Sequence, residues 1–176
     1  KAPHRRPISF LRRASRLLRV ALPALVLAQA ASAQLFENPD WKESPVPPVP
    51  EFGQRRMLEI DMPRMYNLKY GGDPKTLVIT DDGVVRYVAI AKSTGPGAAL
   101  NAFYDGMRCA TGEIKTYARY SGDAWHPVEN PEWTRLELAK TRYSLALARQ
   151  AICRSGAPRA TTDEMIQALK KPLYID

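Results

Sequence analysis

Four side chains here have types that do chemistry: Cys109, Cys153, Asp105 and His126. The two cysteines are the only ones in 176 residues. An even pair in an oxidising compartment is most simply a disulfide. The alternative is a redox-active pair, but such pairs sit close in sequence, as in Cys-x-x-Cys, and these do not. Cys109–Cys153 is therefore expected to be a structural bridge. Asp105 falls in Phe103-Tyr104-Asp105-Gly106-Met107, where period-2 alternation places it on one strand face with Phe103, Met107 and Cys109. A carboxylate among apolar side chains must be paired or hydrogen-bonded. Arg86 and Arg119, on other expected strands, are the candidate partners, and the Asp105–Arg86 pair is the one expected.

The catalytic signals are weak. Asp105 is a candidate acid, but no second carboxylate is placed beside it. His126 is flanked by Trp125 and Pro127, and no Gly-x-Ser-x-Gly sequence accompanies it. One histidine with two oxidised cysteines does not make a zinc site, so no metal and no cofactor is expected. A binding surface is expected instead at Lys115, Tyr117 and Arg119, which alternation puts together on an exposed strand face.

These groups need elements to hold them. Thr76–Ile79 and Val84–Lys92 are β-branched and apolar, and Asp81-Asp82-Gly83 between them is a tight-turn sequence. Leu100–Cys109 reads as helix or strand. Gly106 disfavours a helix interior, so strand is preferred. Glu113–Tyr120 alternates as a half-exposed strand, and Ala124–Val128 follows as a short one. Met57–Ile60 and Tyr66–Tyr70 are weaker strands. Asn130-Pro131 reads as a helix cap and first turn. The best helix runs from Leu136 to Arg154, with Leu138, Leu145 and Ile152 every seven residues. A shorter helix spans Thr162 to about Lys170 and is stopped by Pro172. The expected fold class is α+β: an antiparallel sheet of about five strands covered by one long C-terminal helix.

Ahead of this domain (57–155) lie two other segments, and a short helix and tail (156–176) come after it. Residues 1–33 carry seven basic and no acidic residues, then an apolar run from Val20 to about Ala28 that ends in Ala31-Ser32-Ala33. That is the layout of a secretory signal peptide cut after Ala33. Arg12-Arg13 lacks the apolar pair of a twin-arginine signal, so the general export route is expected. Residues 34–56 hold Pro39, Pro45, Pro47, Pro48 and Pro50 and should form an extended arm, a surface tether rather than a recognition segment.

The full chain has a net charge of +8, but all 18 acidic residues come after Gln34, against 19 of the 26 basic ones. The chain after cleavage thus carries a net charge of +1. That balance excludes strong attraction to nucleic acid. No later apolar stretch approaches the ~20 residues of a membrane span. The expectation is a periplasmic protein with no stable span after cleavage.

Asp81-Asp82-Gly83-Val84-Val85-Arg86-Tyr87, Tyr104-Asp105-Gly106-Met107-Arg108-Cys109, Lys115-Thr116-Tyr117-Ala118, Trp125 and Cys153 together resemble the cryptic neisserial protein-like family. The resemblance covers about residues 57–153. Asp105 stands where the family tends to have Glu, and Gln34 stands where many members carry a lipid-accepting Cys. The resemblance implies an exported envelope protein of Gram-negative bacteria. It carries no established activity and no catalytic residues. The functional expectation is a non-catalytic binding or structural module, its partner an envelope protein or cell-wall component. The alternative is a small periplasmic hydrolase using Asp105 or His126.

Overall fold

The computed structural model describes residues 38–62, 68–95 and 99–171. The expected leader and its cut site, the first part of the Tyr66–Tyr70 strand and Pro172 lie outside them. The described sheet and helices all lie within Pro39–Asp176.

The frame is an antiparallel sheet in the order β1-β2-β4-β5-β6-β7. Its strands are β1 (Leu58–Glu59), β2 (Leu68–Gly72), β3 (Val78–Ile79), β4 (Val84–Ser93), β5 (Leu100–Arg108), β6 (Glu113–Ser121), β7 (Ala124–Pro127) and β8 (Thr134–Arg135). The short strands β3 and β8 pair beside β4 and β6. The β3–β4 hairpin turns at Asp81-Asp82-Gly83, where Gly83 takes a φ of 77°, open to glycine at little cost. Among the described residues the sheet has eight strands, where about five were expected. Two of the additions, β1 and β2, fall on the weaker strands read at Met57–Ile60 and Tyr66–Tyr70; the third, β8, is a two-residue piece too short to leave a periodic signature.

Strands β4 and β5 are central and buried on both faces. The first eight residues of β4 are all buried, and all of them but Arg86 are apolar. One face packs Val85, Tyr87, Met107 and Ile114 under Tyr143, Leu147, Ile152 and Met165. The other packs Val88, Ile90, Tyr104 and Tyr117 beneath Phe52 and Met57. The Pro-rich arm therefore lies against the second face as a strap and not as a loose tether.

No long helix spans Leu136–Arg154. Helix α1 is Tyr143–Leu147 and continues as a π-helical turn over Ala148–Ile152. The heptad pattern fails at its first member, since Leu138 is 74% exposed. Upstream, the Leu136 amide bonds Gly112 O at 2.9 Å, tying this segment to the sheet instead of to a helix. Asn130 adopts a left-handed φ of 48° and caps no helix. Downstream, Cys153 is extended and opens a small hairpin, β9 (Cys153–Arg154) with β10 (Ala157–Pro158). Arg159 folds back, donating from Nε to Ala151 O at 2.6 Å, and so serves the carbonyls that the ending helix leaves free. Helix α2 spans Thr162–Lys170, with Thr161 accepting from the Glu164 amide as its cap. The α+β class holds; the long covering helix is replaced by ten helical residues and this separate short helix.

Candidate functional site

Cys109 and Cys153 form a disulfide with a Cα–Cα distance of 5.5 Å, joining the turn after β5 to the end of the α1 segment. It anchors α1 over the sheet face on which Asp105 stands.

Asp105 is fully buried. Its Oδ1 accepts from Thr116 Oγ1 at 2.8 Å and its Oδ2 from Tyr143 Oη at 2.5 Å. Burial pushes its pKa up to about 6, against the lowering effect of those two hydroxyls and of the Arg119 charge. Burial, reinforced by Asp105, likewise raises the Tyr143 phenol well above its ordinary value. The Tyr87 hydroxyl is buried beside this group without a hydrogen-bond partner among the described residues.

The expected Asp105–Arg86 ion pair does not form. In the β4–β5 ladder Asp105 stands opposite Tyr87, and Arg86 stands opposite Gly106. Neighbouring positions on a strand face opposite ways, so the two side chains lie on opposite faces of the sheet. Arg86 instead bonds Asp82 at 3.1 Å and reaches Glu43 of the arm at 3.7 Å. It also hydrogen-bonds Thr80 Oγ1, and donates to Ser44 O at 3.3 Å. Asp82 completes this group by accepting from the Ser44 amide and hydroxyl at 2.8 and 2.9 Å. Burial alone would raise the Asp82 pKa, but the bonds from Arg86, Thr80 and the backbone hold it well below the usual carboxylate range.

Glu43 is the pin of the arm. Its carboxylate takes Lys115 Nζ at 2.7 Å, Tyr117 Oη at 2.7 Å and Trp133 Nε1 at 3.2 Å. Further along, Asp73 receives the Gly53 amide at 2.7 Å and Arg56 Nη2 at 2.6 Å. Phe52 packs edge-on against Tyr120 and Trp125, with centroids 5.0 and 5.5 Å away.

The expected exposed trio of Lys115, Tyr117 and Arg119 is split by a β-bulge. Tyr104 pairs with Ala118 but Asp105 pairs with Thr116, so Tyr117 is an extra residue in β6. Lys115 and Tyr117 turn under the strap, where Tyr117 is buried. Arg119 stands opposite Phe103 on the other face. Gly106 makes room for the bulged ring: a Cβ there would lie 2.5 Å from the Tyr117 hydroxyl.

The concave feature on the Asp105 side is a cleft of about 510 Å³ between β5–β6 and the segment leading into α1. Phe103, Thr116 and Tyr143 line it, with Leu138 also on its wall, and Arg119, Lys140 and Glu132 bring charge to it. Thr116 and Tyr143 are the same hydroxyls that bond Asp105, so the buried carboxylate fixes two side chains of the cleft lining. His126 is elsewhere: it is exposed on β7, with Nε2 3.2 Å from Ser121 O. Neither Asp105 nor His126 lines the cleft. Among the described residues no three His, Cys, Asp or Glu side chains gather as a metal site. No described helix is long and apolar enough to cross a membrane.

Sequence reasoning missed Glu43, Asp82 and Tyr143. Asp82 is hidden by its role in a turn. Tyr143 is absorbed into a helical pattern. The signal at Glu43 is a carboxylate beside Trp41 within a proline run, where nothing local explains either residue.

These features define a class: a disulfide-clamped antiparallel sheet with a strapped face and a cleft beside α1. The model of the CNP1-like family matches residues 36–170, and the chain belongs to that family. No curated protein and no solved structure matches it.

Proposed function

We propose that this chain is an exported binding module of the cell envelope. In this reading the leader, residues 1–33, is removed in transit to the periplasm, and the remaining domain holds a ligand in the cleft without transforming it. The observation that carries the reading is the built lining of that cleft. Thr116 and Tyr143 are locked by Asp105, which spends both carboxylate oxygens on them. A wall fixed in this way is pre-organised for binding. A hydrolase centred on Asp105 would need that carboxylate to touch substrate, and it is fully buried. One centred on His126 would need an orienting partner, and the hydrogen bond of its ring nitrogen goes to a backbone carbonyl. The ligand would come from an envelope protein or from cell-wall material.

The test is purification of the protein from periplasmic extract, followed by intact-mass analysis under native and denaturing conditions. The expected result is a chain beginning at Gln34, two hydrogens lighter than its reduced form, with a bound species that is lost in Leu138→Glu. Full-length protein in the cytosol would overturn the export reading. A bound species retained in Leu138→Glu would overturn the cleft as its site.

A further inference from the structure

The charges of the cleft narrow the ligand class, given the cleft as the binding site. Arg119 reaches this face only because of the bulge at Tyr117, which shifts it opposite Phe103. It is exposed, lines the cleft and forms no ion pair among the described residues. Lys140 lines the same cleft and is likewise without an ion pair among the described residues. Glu132 is the one acidic side chain among the described lining residues, so the cleft keeps a net positive charge. Beside these cations is an apolar surface: Phe103, stacked on Tyr143 with centroids 5.8 Å apart, and the exposed Leu138.

We infer that the cleft takes an organic anion, its carboxylate held by Arg119 with Lys140 and its apolar body laid against Phe103 and Leu138. A guanidinium receives a carboxylate through two parallel N–H donors, which gives orientation as well as attraction. Neither Asp105 nor the charged groups under the strap compete for these cations. Asp105 is sealed behind Thr116 and Tyr143 and already has both oxygens bonded, so it does not compete as a direct ion-pair partner. Glu43, Lys115 and Arg86 belong to the strap on the opposite face.

The experiment titrates the exported protein, as purified from periplasmic extract, with three probes, monitored by amide and side-chain chemical shifts: 3-phenylpropionate, its neutral amide, and inorganic phosphate. The first is expected to saturate, with shifts centred on Phe103, Thr141 and Tyr143. Its affinity should fall about tenfold in Arg119→Gln and recover in part in Arg119→Lys, which keeps the charge but not the fork. Lys69→Gln, in the distant Lys69–Glu59 pair, should leave it unchanged. Phosphate is expected not to saturate, because it has no apolar body. The anion assignment is overturned if the amide binds as tightly as the acid, if phosphate alone saturates, or if Arg119→Gln binds normally. Binding of the amide to the cleft would sink the anion assignment and leave the cleft as a binding site. No saturable shift at the cleft with any probe would overturn the assignment, and retention of the co-purifying species in Leu138→Glu would separately remove the cleft reading.

Discussion

The Tyr143 hydroxyl donates to Asp105 Oδ2 at 2.5 Å inside a fully buried site, joining α1 to the centre of the sheet across 38 residues of sequence. Removing the donor in Tyr143→Phe leaves a buried carboxylate with one partner fewer. The expected cost is about 1.5–3 kcal/mol, the range for hydrogen bonds to charged groups. The Asp105 pKa should also rise further, since a bond to its ionised form is gone. Chemical denaturation at pH 7 checks the first. A carboxyl-carbon shift titration of Asp105 checks the second.

Asp105 also sets a pH dependence. Its folded pKa of about 6 lies above the ordinary 3.8, so the folded state binds this proton more tightly than the unfolded state. Its contribution to stability is fully present below about pH 4 and is lost as pH rises through about 6. The difference amounts to about 3 kcal/mol. Asp105→Asn should remove this decline between pH 4 and 7. Unfolding free energies across that range, wild type against variant, decide it; parallel curves would refute the assignment.

Asp82 and Glu43 work in the other direction. Both are held below their ordinary values despite burial, by Arg86 and Thr80 for Asp82 and by Lys115 and Tyr117 for Glu43. Their stabilisation is present above the ordinary carboxylate pKa and is lost as pH falls below it. Glu43→Gln should weaken the strap by about 1–3 kcal/mol, because Lys115 and Tyr117 lose a charged acceptor. Limited proteolysis checks this: cleavage at Lys42 should accelerate several-fold in the variant while the sheet stays protected.

The disulfide closes a separation of 44 residues. In the chain-entropy model that stabilises by about 4 kcal/mol at 25 °C, an upper figure. Cys109→Ser with Cys153→Ser should lower the denaturant midpoint accordingly, and reductant should do the same to the wild type but not to the variant.

Gly106→Ala should destabilise by more than about 1 kcal/mol, since the new methyl meets the Tyr117 ring, which Glu43 holds in place. Tyr117→Ala removes the obstacle at a cost of its own. In a double-mutant cycle the pair should couple favourably, the second substitution costing less once the first is made. Additive effects would argue that the ring moves freely.

Local chemistry made much of this protein legible. The hairpin at Asp81-Asp82-Gly83 comes from turn residues between two β-branched runs. The Phe103, Asp105, Met107 and Cys109 face comes from alternation, and the cysteine pairing from spacing and count. Helix α2 comes from the acidic residues of its first turn, the lysines at its end and the proline after it. Each of these is a property of residues near one another in the chain, or of a scarce residue type with one available partner.

What the tertiary structure decided is long-range. A single extra residue at Tyr117 reversed the faces on either side of it, and no residue type announces a bulge. Arg86 and Asp105 were separated because the β4–β5 register put them one position out of step, and register is set by the whole sheet. The segment before Tyr143 gave up helix for pairing with β6 at Thr134–Arg135 and a hydrogen bond to Gly112 in the β5–β6 turn, which its own periodicity could not foretell. The strap and the cleft exist only as contacts between distant segments. They arise because the second face of a two-sided sheet must be covered, and the proline arm was the segment available to cover it.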